Sequence, residues 1–312
     1  MRIRFWGVRG SIPTPLMPSR VRSKISSAVQ RIVAKDIESQ EARELFLAGL
    51  PDFLFSTVGG NTACIEAVTK ENCRIIFDAG TGIRELGAEI AAQKKPTTCH
   101  LFLSHFHWDH IQGLPFFNPA FDPRNSMVYY SPVPEFRSIL EGQMKPPYFP
   151  VTMDVMAARK EFRVLTGEPA RIGGVEVSYR LMNHPGGSYS YAIKEAGVKV
   201  IYATDTELRE EDFRRSPENA AFFQDADLLI VDTQYTLGEA IEKYNWGHSS
   251  FSLAADFAST WKVKRLVLFH HEPFYSDRKI DSLLKNASWY SDHLQSSGIE
   301  VYLAREGLEL EV

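Results

Sequence analysis

The chain has 312 residues, 44% of them hydrophobic and 24% charged, with a formal net charge of −4. That length is enough for a large core in one large domain or two smaller ones. Normal apolar content and balanced charge exclude disorder, and the 20 glycines and 17 prolines, scattered without a period, exclude collagen-like or low-complexity chains. No apolar run approaches the ~20 residues of a membrane span, and the start of the chain lacks a signal-peptide pattern. Cys64, Cys73 and Cys99 have no metal-type spacing and cannot all pair, so they read as reduced core residues of a cytoplasmic protein. A slightly acidic chain has no general electrostatic pull on nucleic acid, although a local basic groove is compatible with it.

In chain order, Arg2–Gly7, Ala63–Val68 and Arg74–Phe77 read as strands, and Ile83, Leu86, Gly87, Ile90 and Ala91 fall at helical spacing. Between the first two strands, Val21, Ile25, Ala28, Val29, Ile32 and Ile37 mark an apolar stripe, with Arg22, Lys24, Arg31 and Lys35 interspersed. A second helical piece, Glu41–Leu47, ends at Gly49-Leu50-Pro51. The expectation is a helical hairpin packed on the body by that stripe; a lid over the site or a contact with a second copy of the chain is the alternative. Cys99–Ser104 reads as a buried strand feeding a loop. Val175–Met182, Ser190–Lys194 and Val198–Thr204 follow as consecutive strands. Leu228–Val231 and Arg265–Phe269 read as buried strands flanking a helical Ser249–Ser259, and Ile299–Ala304 and Leu308–Val312 close the chain. Strand runs mixed with strand–helix alternation imply mixed sheets covered by helices.

The chemistry concentrates in Ser104-His105-Phe106-His107-Trp108-Asp109-His110. A loop after a strand points His105 and His107 to one side, and Asp109 and His110 open the next helix facing a neighbouring point. Imidazole and carboxylate suit zinc, iron or manganese rather than calcium, and two adjacent pairs suggest a dinuclear centre. Further candidates stand at strand ends, where α/β scaffolds build sites: His184, Asp205 and His270.

The sequence resembles the metallo-β-lactamase-fold hydrolases over nearly its whole length. It is most similar to the phosphodiesterase branch that contains ribonuclease Z, the phosphoribosyl cyclic phosphodiesterase and the zinc-dependent cyclic-nucleotide phosphodiesterases. Besides the histidine motif, the resemblance rests on Phe5-Trp6-Gly7-Val8-Arg9-Gly10-Ser11-Ile12-Pro13, Gly59-Gly60-Asn61-Thr62, Phe77-Asp78-Ala79-Gly80-Thr81-Gly82, His184-Pro185, Thr204-Asp205-Thr206, Gly247-His248-Ser249 and Leu268-Phe269-His270. It implies an α/β (α+β) fold, a four-layer αββα sandwich of two mixed sheets flanked by helices. Residues 1–312 would form a single domain, with a helical insertion at about 18–55. It assigns His105, His107 and His184 to one metal and Asp109, His110 and His270 to the other, with Asp205 bridging. His271 is a competitor for the place given to His270, and Asp78 resembles the carboxylate that orients a ligand loop. His248 falls where the family places a histidine on the scissile phosphate.

The implied function is a dinuclear metal-dependent hydrolase of phosphodiester bonds, with cyclic nucleotides as the best candidate substrates. Two divalent metal ions are expected as cofactors, zinc first, manganese or iron otherwise. Asp109 would orient the nucleophile, and His248 would protonate the leaving alkoxide or stabilise charge. Trp108, Phe116, Phe117, Tyr148 and Phe149 are candidate walls for base or sugar. The expected partner is a small phosphodiester, with no membrane partner and a homodimer as an alternative. Ribonuclease-Z-like RNA processing is the first rival; no glycine- and proline-rich arm is visible and the net charge opposes it. An ester, lactone or thioester hydrolase and a non-catalytic metal-dependent sensor are further rivals. A β-lactamase is disfavoured because no cysteine stands at a ligand position.

Overall fold

Strands covered on both faces read as continuous apolar runs rather than alternating ones, and that pattern recurs here in Arg74–Phe77, Leu228–Asp232 and Arg265–Phe269. The computed structural model describes residues 1–294 and 298–312. In chain order its strands are β1 (Arg2–Gly7), β2 (Cys64–Val68), β3 (Arg74–Phe77), β4 (Thr98–Phe102), β5 (Ser126–Ser131), β6 (Arg159–Val164) and β7 (Ala170–Ile172). They continue with β8 (Val175–Met182), β9 (Ser188–Glu195), β10 (Val198–Ala203), β11 (Leu228–Asp232), β12 (Arg265–Phe269), β13 (Glu300–Leu303) and β14 (Glu309–Glu311). They form two seven-stranded sheets, ordered β14-β1-β2-β3-β4-β5-β6 and β13-β12-β11-β10-β9-β8-β7. Both sheets are mixed: β3 to β6 run parallel, as do β10 to β13, and the remaining pairs are antiparallel.

Alternation along each strand splits its side chains between two cores. Ile75 and Phe77 of β3 meet Val200, Tyr202, Leu228 and Ile230 between the sheets. Ile76 instead faces outward with Leu101 and Tyr129, under Ile83, Leu86 and Ile90 of the helix Ile83–Ala92. On the far side, Ile201, Leu229, Val231 and Leu268 pack against Ala254, Phe257 and Trp261. The result is helix, sheet, sheet, helix. Cys64 and Cys99 are buried and Cys73 is half-buried, and all three are free thiols. No helix among the described residues is long and apolar enough to cross a membrane.

The segment 18–55 departs from the expected packing. Helix α1 (Pro18–Val29) stops before Ile32, and Ile37 lies in a separate single turn, Ala34–Ile37, so the apolar stripe outlasts the helix. Its outer residues are exposed, Val21 by 40%, Ile25 by 60% and Val29 by 59%, and neither α1 nor α2 (Gln40–Ala48) buries any residue fully. Charge rather than apolar contact ties α1 to the body: Lys24 Nζ donates to Phe53 O at 2.7 Å, Ser56 O at 2.6 Å and Asp277 Oδ2 at 2.5 Å. A three-acceptor cation anchored on a buried carboxylate fixes which face turns inward, and the apolar stripe is left outside.

These environments predict opposite stabilities. Trp261, fully buried against Phe223 and Phe257 and donating Nε1–H to Asp212 O, should cost about 3–5 kcal/mol as Trp261→Ala. Ile25→Ser should change stability by no more than about 0.5 kcal/mol. Urea unfolding of the two variants beside the parent chain measures both.

Candidate metal centre

The first residues past several strands turn toward one edge of the sandwich. Asp78 follows β3, Ser104 and His105 follow β4, His184 follows β8, Asp205 follows β10 and His270 follows β12. Asp78 (φ 60°), Asp205 (φ 47°) and His270 (φ 61°) all take the left-handed conformation, which non-glycine residues adopt at a cost of about 1–3 kcal/mol each and which clusters at functional sites. Gly10 lets the chain pass His270: a Cβ there would lie 2.6 Å from the imidazole.

The structure brings all seven expected ligand residues together. One ligand atom each of His105, His107, His184 and Asp205 lies within 4.8 Å of the others, and the same holds for Asp109, His110, Asp205 and His270. Asp205 belongs to both groups and divides its oxygens between them. Oδ1 is 3.8 Å from His105 Nε2 and 3.7 Å from His184 Nε2, whereas Oδ2 is 3.0 Å from His110 Nε2 and 3.1 Å from His270 Nε2. Asp109 Oδ2 stands 3.2 Å from His110 Nε2 and 3.3 Å from His270 Nε2, and also accepts the Ser11 amide at 2.7 Å. His271 turns away, its Nε2 on Ala304 O at 2.8 Å, and burial pushes its pKa down to about 3.

Four of the five candidate imidazoles are held by their other nitrogen, the arrangement that fixes the tautomer of a metal ligand, whereas His107 Nδ1 lies 3.2 Å from His184 Nε2. His110 Nδ1 meets Asp78 Oδ2 at 2.8 Å, His105 Nδ1 meets Ser104 Oγ at 3.0 Å, His184 Nδ1 meets Gly247 O at 2.9 Å and His270 Nδ1 meets Gln234 Oε1 at 3.2 Å. The Nε2 atom of His105 is buried with no hydrogen-bond partner among the described residues, and that of His110 faces only the carboxylates of Asp205 and Asp109. A buried polar atom left so costs about 1–3 kcal/mol, and a cation among these nitrogens and carboxylates satisfies it. Electrostatics agree. Burial pushes His105 and His184 down, toward the neutral form that ligates. Burial would also depress His110, but Asp205, Asp109 and Asp78 outweigh it and raise its pKa well above the imidazole range, so the carboxylates draw positive charge to this spot. The residues fit a divalent metal with nitrogen and oxygen ligands.

His248 stands beside this cluster, its ring centroid 5.3 Å from that of His184 and 5.3 Å from that of His270. Its Nδ1 meets Asp232 Oδ2 at 2.6 Å. Burial opposes charge on this imidazole, yet Asp232 prevails and carries it up to about 9. Asp232 was not among the sequence candidates, although it ends the buried strand β11 and so obeys the strand-end rule that picks out Asp205. Gln234, which also donates to Glu272 Oε2 at 2.8 Å, and Glu207, which accepts the Gly247 amide at 3.0 Å, are further supports without a sequence signal. Among the expected aromatic walls, Trp108 is 81% exposed beside exposed His107, and Phe116 and Tyr148 are exposed, with Phe149 half-buried against Phe116. Phe117 is corrected: it lies fully buried in the outer core with Leu114 and Ile83, where no substrate reaches.

Asp78 is fully buried and accepts from Ser104 N, Ser104 Oγ, Tyr202 OH and His110 Nδ1. Asp78→Asn keeps the shape and removes the charge behind His110. Metal affinity should fall about 10–100-fold, read by competition with a chelating dye, with the far-UV spectrum unchanged.

The beta-lactamase superfamily domain matches residues 73–271. A ribonuclease Z of Picrophilus torridus is 27% identical over 294 residues, covering 79% of this chain and 89% of that protein. Among solved structures, the metallo-beta-lactamase fold protein YhfI from Bacillus subtilis superposes with a TM-score of 0.66 at 16% identity, covering 100% of this chain and 98% of that one. A diphosphatase of the PhnP family superposes with a TM-score of 0.63 at 14% identity, covering 100% and 97%. With two helix-flanked mixed sheets and a histidine–aspartate cluster at their shared edge, the chain belongs to the beta-lactamase superfamily, as a metal-dependent hydrolase of the metallo-β-lactamase fold.

Proposed function

We propose that the protein hydrolyses phosphodiester bonds at a dinuclear centre, with small cyclic phosphodiesters such as cyclic nucleotides as substrates. The observation that carries this reading is the His248–Asp232 pair set against the metal cluster, with His248 Nδ1 2.6 Å from the fully buried carboxylate. His105, His107 and His184 would hold one ion and Asp109, His110 and His270 the other, with Asp205 between them; zinc suits this set best, and manganese or iron would also be accepted. When bound, the ions supply water activated near neutral pH and a Lewis acid for the phosphoryl oxygen.

The chain's own residues do the rest. Asp109, held by the Ser11 amide, is placed to orient the attacking water. Asp232 fixes the His248 ring and stabilises its cationic form, so that His248 can deliver a proton to the departing alkoxide, which a ribose oxygen requires and a nitrophenolate does not. Exposed Trp108 offers a flat surface for a base near the same edge. The likeness to the Picrophilus ribonuclease Z, which spans most of both chains, supports a second reading, cleavage of an RNA phosphodiester. The net charge of −4 favours the small substrate.

Two outcomes are expected. Elemental analysis of the purified chain should give about two transition-metal ions per chain, falling sharply in Asp205→Ala; a single ion with full activity would overturn the dinuclear reading. His248→Ala should keep its metal and lose about 10²–10⁴-fold in rate on cyclic nucleotides, with a smaller loss on bis-p-nitrophenyl phosphate. A panel that adds precursor transfer RNA, lactones and thioesters separates the readings by which substrate turns over.

A further inference from the structure

Helix α1 presents its faces the wrong way round for a surface helix. A helix on a protein surface ordinarily turns apolar residues inward and cations to water. Here Val21, Ile25 and Val29 face solvent, while Arg20, Ser23, Lys24 and Ser27, together with Arg31 just past the helix end, line a cavity of about 500 Å³. That volume is typical of small-molecule sites. None of the seven candidate ligands lines it. The opposite walls come from residues 12–17 and 273–278, with Leu16, Met17, Phe53 and Phe274 giving it a mainly apolar surface.

The charges in the cavity are unequal in their commitments. Asp277 is engaged at its base: Oδ2 accepts from Lys24 Nζ at 2.5 Å, Oδ1 accepts from Thr57 Oγ1 at 3.0 Å and Val58 N at 3.1 Å, and Arg9 Nη2 lies 3.8 Å from Oδ1. Arg9 is further spent on the carbonyls of Gly59, Glu272 and Tyr275. The side chains of Arg20, Arg31 and Arg278 have no ion pair and no hydrogen bond among the described residues; the guanidinium of Arg278 lies only over the Phe53 ring, at 5.8 Å. Three uncommitted guanidinium groups therefore line one apolar cavity in a chain whose net charge is −4. An anion would take forked, charge-assisted hydrogen bonds from these three arginines, which are solvent-exposed at the cavity, and a hydrophobic body attached to it would cover the apolar walls.

We propose that this cavity is a second ligand site, separate from the metal centre, for a small anionic amphiphile: a carboxylate or phosphate carried on an acyl chain or a flat ring. The inference is independent of the reaction proposed above. Its lining includes Arg9 and Ile12 on either side of Ser11, whose amide holds Asp109, so the two sites share one loop.

The test uses the full metal-loaded chain and the fluorescent aromatic sulfonate 1-anilinonaphthalene-8-sulfonate. Saturable binding is expected, displaced by dodecanoate if the natural body is acyl or by adenosine monophosphate if it is a ring, and not by inorganic phosphate at the same concentration. The double charge reversal Arg20→Glu/Arg31→Glu should weaken binding about 10-fold or more, and Ser27→Trp, which places an indole inside the cavity, should weaken it comparably with the thermal midpoint unchanged. Ile25→Ser, on the outer stripe, should leave it intact. The proposal is overturned if there is no saturable binding, if neither competitor displaces the probe, if both cavity variants bind normally, or if Ile25→Ser is the change that removes binding.

Discussion

One carboxylate holds the edge of the sandwich together. Asp78 leaves β3 in a left-handed turn and receives four donors: the amide and hydroxyl of Ser104 at the end of β4, the phenol of Tyr202 from the opposite sheet, and the imidazole of His110. A buried carboxylate with fewer partners would be costly, since an unpaired charge in the interior is far more expensive than an unpaired amide. With these four, it locks the loop that carries His105 and His107 to the helix that carries Asp109 and His110, and it fixes the spacing between the sheets where the cluster forms. The aromatic packing beneath supports the same joint: Phe77, one residue earlier, lies 5.3 Å from the Tyr202 ring and 5.8 Å from the Phe102 ring.

Around that joint the negative charges are arranged in depth. Burial would raise the Asp205 pKa, but His270, His110 and His105 hold it well below the carboxylate range, and Thr204 Oγ1 donates to its Oδ2 at 2.6 Å. Asp232 stands one layer further out and acts on His248 and, at 3.6 Å, on His270 Nδ1. Such an assembly stays ordered only when each group has a partner in every direction, which explains why amides of Ser11, Gln234 and Gly247 are all committed to side chains of this region.

Much of this is written locally in the sequence. β1, β3, β8 and β12 begin and end where the sequence places them, because runs of four to eight strand-forming residues, alternating in β1 and β8 and mostly apolar in β3 and β12, are too short for a helix. The histidine motif and the strand-end residues are legible for the same reason: the loop after a strand has one way to face. What escaped the sequence depends on partners distant along the chain. Charged Arg159–Val164 becomes a strand only because β5 offers it a parallel edge, and its charges suit the edge position that it occupies. The helix Asp277–Asp292 had an unread signal, the Ser276 cap on Lys279 N and the spacing of Ile280, Leu283 and Ala287. The orientation of α1 could not be read from periodicity, because the period fixes the stripe but not which side meets the body. Lys24 decided that through Asp277, a residue more than 250 positions away.

The origin of the ligating side chains has a mechanical consequence. His105, His107, Asp109 and His110 hang from the first sheet, and His184, Asp205 and His270 from the second. A cation shared among them would therefore be a rivet across the seam between two layers whose contact is mainly apolar, joined by a few hydrogen bonds such as Tyr191 OH to Leu103 O and Tyr202 OH to Asp78. The free energy of its binding is added to the cohesion of the layers. Stripping it out leaves imidazoles and carboxylates facing one another across the joint, so the layers should part first at the catalytic rim, with the opposite rim as the hinge.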